Sequence, residues 1–207
     1  MSVKHIIIEG IDHIGKDTLI NQLQNCYGGF IIHSEKPKRL KIYKTLALNQ
    51  FSKILTSNEV YKTDGVTSLY LPEYLYQCDY FNTIFRNMNF LSSQVPFIYN
   101  RLHLGEYVYG ALYRNYTEEM QNKVFELEKL ITDNDNVYLI QLLMHNPKRR
   151  VKDDDAFAND NGEEEQKLFQ EAFEKSGIRH KKLIYVDNAK NWKAPKKIFN
   201  EVIEFLN

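Results

Sequence analysis

Cysteine is nearly absent from this chain: Cys26 and Cys78 are the only two in 207 residues. Two thiols make a disulfide framework unlikely to be the organising device, so reduced, packed cysteines in a cytoplasmic protein are expected. An excess of charge is missing too. Lys plus Arg and Asp plus Glu number 27 each, which leaves no global field to draw the chain to nucleic acid or to an anionic membrane. No apolar run approaches the roughly 18 residues of a membrane span, and no charged-then-apolar leader opens the sequence. Internal repeats and long low-complexity linkers are also lacking. Aromatic residues, by contrast, are plentiful: 14 tyrosines and 12 phenylalanines, most expected in the core and some available to stack on a base. A single domain over residues 1–207 is expected, large enough to bury roughly 70–75% of its unfolded surface.

The stretch that organises the chain lies near its start. Ile6, Ile7 and Ile8 form a short apolar run that ends at Glu9-Gly10, and Gly15-Lys16 follows before Leu19 and Leu23 repeat at helical spacing. Strand, loop and helix with the spacing G-x-x-x-x-G-K describe a phosphate-binding loop. Gly10 and Gly15 permit backbone angles that turn successive N–H groups inward. The helix beginning near Lys16 adds its positive end, and the lysine ammonium reaches the outer phosphates. A nucleoside triphosphate is therefore the expected ligand, held by Gly10, His13, Gly15, Lys16, Asp17 and Thr18. The plain alternative for His13 is a solvent-facing loop filler. Asp17 stands where Ser or Thr usually supplies a hydroxyl to Mg²⁺, and Thr18 follows one place late, so these two are the candidate metal residues.

Further along, a first helix over about 16–26 ends at Gly28 and Gly29. A second strand over 30–33 stops before Pro37. Residues 38–56 read as helical, 57–71 as looped or broken, and Pro72 opens a helix to about 91. A buried strand over 95–99 ends at Asn100-Arg101. Helices over 103–114 and 118–132, a central strand over 137–143, a helix over about 163–175, a strand over 183–186 and a helix over 195–206 complete the order. Residues 145–155 are polar, charged and without apolar period, so they form an exposed loop, with a lid over about 145–162. Five short strands alternating with helices predict an α/β fold with a mostly parallel sheet covered on both faces. Ligands in such sheets sit beyond the carboxyl ends of the strands, where the loop, Glu35, Arg101 and the lid converge.

The segments Ile8-Glu9-Gly10-Ile11-Asp12, Gly15-Lys16 and Asn100-Arg101-Leu102-His103-Leu104-Gly105-Glu106-Tyr107, with the stretch through Leu112-Tyr113-Arg114, resemble the thymidylate kinase family. They are closest to its phage-type deoxynucleotide kinases, as is Leu168-Phe169-Gln170-Glu171-Ala172-Phe173 behind the lid. The resemblance spans nearly the whole chain. It implies a P-loop kinase fold with a five-stranded core, phosphoryl transfer from ATP with Mg²⁺ to a deoxynucleoside monophosphate, and a homodimer. By the same resemblance Lys16 serves the transferred group, Asp12 bonds the acceptor's 3′-hydroxyl, Arg101 grips the acceptor phosphate, and Arg149 or Arg150 folds over the γ-phosphate. Glu106 and Tyr109 line the acceptor pocket. On the helix that begins at Pro72, Tyr80 or Phe81 is the candidate to stack on the acceptor base and Gln77 or Arg86 to bond its edge, although most of that face is expected in the core.

The chain departs from the family at Asn100, where many members carry aspartate, and at Asp17. One carboxylate leaves the third strand and another arrives on the loop, so the two changes compensate in charge. Three readings follow. The first is a kinase for dTMP or a related, modified pyrimidine nucleotide. The second is a kinase for a hydroxyl of a deoxynucleoside or of a modified base in DNA, with Glu35 as general base. The third is a non-catalytic nucleotide-binding relative. The basic triplet Lys148-Arg149-Arg150 has its own bland alternative, a solvated loop balanced by Asp153, Asp154 and Asp155.

Overall fold

The computed structural model describes residues 4–33, 65–91, 95–147, 161–188 and 191–207. Glu35, the helix expected over 38–56 and the lid arginines Arg149 and Arg150 lie outside these residues. The described elements are β1 (His5–Glu9), α1 (Lys16–Tyr27), β2 (Phe30–His33), α2 (Gly65–Met88), β3 (Phe97–Asn100), α3 (His103–Tyr113), α4 (Glu118–Glu128), β4 (Val137–Leu143), α5 (Gly162–Lys175), β5 (His180–Tyr185) and α6 (Pro195–Leu206).

The five strands form one sheet in the order β2-β3-β1-β4-β5, and every pairing is parallel. β1 sits at the centre, paired on both sides and wholly buried. That is why its sequence reads as a continuous isoleucine run rather than an alternation. Successive side chains point to opposite faces. Glu9 faces α3, whose first amides it binds, while Tyr138 on the other parity meets Phe205 of α6 edge-on at 5.8 Å. Helices thus cover both faces, and Ile6, Ile7, Ile8, Leu139, Ile140, Phe81, Phe85 and Phe169 form the heart of the core.

Several boundaries differ from the sequence expectation: β3 runs over Phe97–Asn100 rather than 95–99, and three other differences have a reason in the packing. The helix expected to begin at Pro72 begins at Gly65 and carries Pro72 in its interior. An interior proline forfeits one backbone bond and costs about 3 kcal/mol. Burial of Phe81, Phe85 and Met88 on one face of this long helix offsets that loss. α4 stops at Glu128 rather than 132, because the Glu128 carboxylate is drawn inward to His103 Nε2 at 2.6 Å, Ser176 Oγ at 2.7 Å and Gly177 N at 2.7 Å. β5 starts at His180, ahead of the apolar run. Its lysines look like loop residues, but Lys181 Nζ bonds the carbonyls of Phe173 at 2.8 Å and Ser176 at 2.6 Å. A cation thereby closes the carboxyl end of α5.

Burial also fixes one titration. His5 has no solvent exposure; it stacks on Phe97 at 5.5 Å and lies 2.9 Å from the Tyr99 hydroxyl. Burial pushes its imidazole from 6.5 down to about 4, outweighing a backbone bond with Met88 that acts the other way. The native state keeps His5 neutral where the unfolded chain takes up a proton. Stability should therefore fall as pH drops from 6.5 towards 4, by on the order of 2–3 kcal/mol in all. The Glu128 carboxyl is held below its ordinary value, burial being outweighed by His103, Ser176 and Gly177; its share of stability is lost only as pH falls through and below 4.5. Urea unfolding between pH 4.8 and 6.5 isolates the histidine, and His5→Gln is expected to flatten the slope in that window.

Candidate functional site

The loop after β1 is built by two glycines for different reasons. Gly10 has φ +140°, and a side chain there would meet the carbonyl oxygen of Leu142 at 2.8 Å. The carboxyl end of β4 therefore leaves no room at this turn. Gly15 has φ +96° with open space around it, so backbone angle alone selects glycine at the start of α1. Between them, exposed His13 holds a left-handed φ of +58°. Lys16 is buried, and its Nζ donates to the carbonyls of Gly10 at 2.9 Å and Ile11 at 2.6 Å. The ammonium thus folds over the loop and lies beside the amino end of α1, an arrangement suited to anions.

β3 delivers the second half of the site. Asn100 Nδ2 donates to Asp17 Oδ1 at 2.8 Å, so the two positions that depart from the family are in direct contact. Arg101 has φ +60° and is buried. Its N–H continues the ladder to Ile8 O at 2.9 Å, which holds this uncommon backbone in place. Its guanidinium bonds the Asp12 carboxylate and lies 5.1 Å from the centre of the Tyr109 ring. Burial alone would raise the Asp12 carboxyl, but the charges of Arg101, Lys16 and His13 outweigh it and hold the group below its ordinary range. Asp12, Lys16, Asp17, Asn100, Arg101 and Tyr109 are thus brought together.

The remaining predicted residues fall elsewhere or play other parts. Thr18 is exposed in the first turn of α1. Glu106 is buried and accepts from Arg114 Nη1 at 2.6 Å and the Tyr116 hydroxyl at 2.7 Å, fastening the end of α3 to its middle. Phe81 is packed between Phe85, 6.0 Å away, and the edge of His103, so it belongs to the core. Tyr80 is half-buried and meets Phe81 edge-on. Arg86 is exposed and bonds Asn82 within its own helix at 3.0 Å. Its end of α2 lies at the amino edge of the sheet, where Asn134, just ahead of β4, binds Met88 O. Gln77 lies about three turns, roughly 16 Å, up the same helix from that edge. It is 1% exposed, and neither its Oε1 nor its Nε2 has a hydrogen-bond partner among the described residues.

Sequence reasoning missed two carboxylates. Glu9 accepts from Leu102 N at 2.8 Å and Leu104 N at 3.1 Å, joining the phosphate loop to the segment that carries Arg101. An acid closing an all-isoleucine strand was the available signal. Asp187 is buried at the end of β5 and accepts from His145 N at 2.9 Å and His145 Nδ1 at 2.7 Å. The His145 ring lies 4.3 Å from that of Tyr185. Gln166 of α5 clamps both backbone groups of Met144, at 2.8 and 2.7 Å. The end of β4 at Met144 and His145 is thus tied both to α5 and to the end of β5.

No protein-family model matches the chain, and no curated protein sequence matches it. Solved structures do. A thymidylate kinase from Ehrlichia chaffeensis is similar over 100% of both chains, with TM-score 0.57 and 15% identity. A thymidylate kinase from Candida albicans is similar over 99% of this chain and 91% of its own, with TM-score 0.60 and 16% identity. A deoxyadenosine kinase from M. mycoides, bound to the products dCMP and dCDP, is similar over 98% of each chain, with TM-score 0.54 and 15% identity. The chain shares the α/β fold of these kinases, a parallel sheet with helices on both faces.

The loop geometry has a direct consequence for anions. Inorganic tripolyphosphate is expected to raise the melting temperature of the protein, and Gly10→Ala should abolish the rise by forcing the loop away from Leu142. An undiminished shift in that variant would mean that the loop does not bind the anion in this form.

Proposed function

We propose that the chain transfers the γ-phosphoryl group of ATP to a deoxynucleoside monophosphate, dTMP or a related pyrimidine nucleotide, giving the diphosphate. An acceptor phosphate oxygen attacks the γ-phosphorus, the bond to the β,γ-bridging oxygen breaks, and ADP leaves. The observation that carries this reading is Arg101: a buried guanidinium, held over Tyr109 and beside Asp12, at the strand end next to the phosphate loop. A planar arginine fork suits phosphate oxygens, and a phosphate acceptor is already nucleophilic, so positioning and charge do the work. The two thymidylate kinases among the structural neighbours support the same class.

Within this reading Lys16 and the loop amides hold the ATP phosphates, Arg149 or Arg150 covers the γ-phosphate, and Asp12 bonds the 3′-hydroxyl. Gln77 bonds the edge of the acceptor base beside Tyr80. A buried amide without a partner loses roughly 1–3 kcal/mol that a ligand could restore. A homodimer in the cytoplasm completes the reading. Among the described residues no helix is long and apolar enough to cross a membrane.

The oxygen donors Asp17 and Thr18 fit Mg²⁺, a hard cation that binds one or two carboxylates together with substrate phosphates. Asn100 orients the Asp17 carboxylate through its 2.8 Å bond. Among the described residues no three His, Cys, Asp or Glu side chains converge on a metal position. When bound, Mg²⁺ supplies charge neutralisation at the β- and γ-phosphates.

A hydroxyl acceptor is the second reading, favoured by the likeness to the deoxyadenosine kinase and by Glu35 as its general base. ADP formation measured across nucleosides and ribo- and deoxynucleoside monophosphates, modified pyrimidines included, distinguishes the two. Deoxypyrimidine monophosphates should turn over, and nucleosides should not. Glu35→Gln should keep most of the rate, and Gln77→Ala should raise the acceptor KM about tenfold with the ATP KM unchanged. Loss of turnover in Glu35→Gln, with activity on nucleosides, would instead establish the hydroxyl kinase. In a separate Mn²⁺–nucleotide titration, Asp17→Asn should weaken metal affinity far more than Asn100→Ala, and equal small effects would remove Asp17 from the metal set.

A further inference from the structure

We propose that Asp12 is a positioning residue for Arg101 and an internal competitor of the acceptor phosphate, traded for phosphate oxygens when the acceptor binds. The inference rests on the phosphoryl-transfer reading and gives Asp12 a task separate from any contact with the sugar.

The geometry of the pair carries it. Arg101 and Asp12 form an ion pair in which the arginine side chain is 6% exposed and the aspartate 40%. The carboxylate is the solvent-facing partner, so an anion that reaches the guanidinium arrives on the side Asp12 holds. The Tyr109 ring lies against the guanidinium at 5.1 Å, and the Arg101 backbone is tied to Ile8. Arg101 cannot swing to a new position without losing both supports. Binding of a phosphate is therefore an exchange at a fixed arginine rather than the recruitment of a mobile one. Asp12 also feels the charge of Lys16, a cation that a phosphate at this edge would seek. Its carboxylate lowers the positive charge of the cluster and repels a second anion.

Two effects of opposite sign follow. Removing the Asp12 charge removes repulsion between unit charges a few ångströms apart, which should tighten binding of a phosphate at Arg101 by about five- to tenfold. The same change removes the charge-assisted bond that aims the guanidinium, so kcat should fall by about tenfold or more. A merely structural residue would weaken binding and turnover together. A residue that only bonds the 3′-hydroxyl would weaken deoxynucleotide binding and leave a dideoxynucleotide untouched.

The test is equilibrium binding by calorimetry at fixed ionic strength without ATP, using dTMP, 2′,3′-dideoxythymidine monophosphate and inorganic phosphate. Wild type, Asp12→Asn, Arg101→Gln and the double variant are compared, with circular dichroism confirming that each is folded. The dideoxynucleotide is expected to bind Asp12→Asn about five- to tenfold more tightly than wild type. The gain should vanish in the Arg101→Gln background, and kcat should drop in Asp12→Asn. An unchanged or weaker dideoxynucleotide affinity overturns the inference; if dTMP alone weakens, Asp12 serves only the sugar and the kinase reading stands. If neither nucleotide binds wild type, the acceptor assignment fails. The phosphate arm then decides the inference by itself, through an Arg101-dependent gain in Asp12→Asn or the lack of one.

Discussion

One buried carboxylate ties the two halves of this site together. Glu9 ends the central strand, turns towards α3, and takes the amide hydrogens of Leu102 and Leu104. Those amides belong to the first turn of a helix, where backbone donors have no partner within the helix itself. The acid satisfies them and lies within hydrogen-bond reach of the residues that follow Arg101. The position of Arg101 relative to the loop is consequently set by β1 from two directions, through Ile8 O on its own N–H and Glu9 on the amides beyond it. Neither contact involves a group that would bind substrate. Both act on the backbone, which is the more rigid way to hold a side chain at a site.

Much of this was legible before any coordinates. Two glycines with four residues between them, an isoleucine run before them and a helical repeat after them are local signals, and local signals survive into structure. The central strand Val137–Leu143 and the last helix Pro195–Leu206 match their expected bounds for the same reason. Other features depended on partners far away in sequence. The polar start of β5 reads as a loop until α5 supplies carbonyls for Lys181. Glu106 reads as a residue lining the acceptor pocket, and its bonds to Arg114 and Tyr116 become visible only in the fold. On α2, periodicity identified a face but could not divide it. Phe81 went to the core and Arg86 to the amino edge, leaving Gln77 and Tyr80 from a set of four.

Charge at the site is arranged by exchange rather than by excess. Asp17 and Asn100 each lack the side chain that the thymidylate kinase pattern would place there, yet the amide of one bonds the carboxylate of the other. Moving an acid from a strand end to the first turn of a helix keeps the total charge. It also sets that acid against the positive end of α1, where a carboxylate gains typically 0.3–1 kcal/mol. The cost is flexibility, because a helix-borne carboxylate has less choice of position than one at a loop. Asn100 compensates by fixing one oxygen and leaving the carboxylate charge in place.

On the proposed reading, recognition of the acceptor rests on groups of different reach. Arg101 and Asp12 act through charge, which is strong and indifferent to the base. Gln77 acts through hydrogen bonds, which are weaker and directional. Its amide presents one donor edge and one acceptor edge, a pattern that several bases can match on a Watson–Crick edge. Chemistry at Gln77 alone therefore separates bases only by which way the amide is turned. Discrimination has to come from shape, from how much ring the surrounding walls admit beside Tyr80. The amide adds a penalty for ligands that leave it unpaired, since a buried donor or acceptor deprived of its partner loses far more than an exposed one. If Gln77 meets the base as proposed, the site should reject a nucleotide that cannot pair with it more sharply than it favours any one base that can.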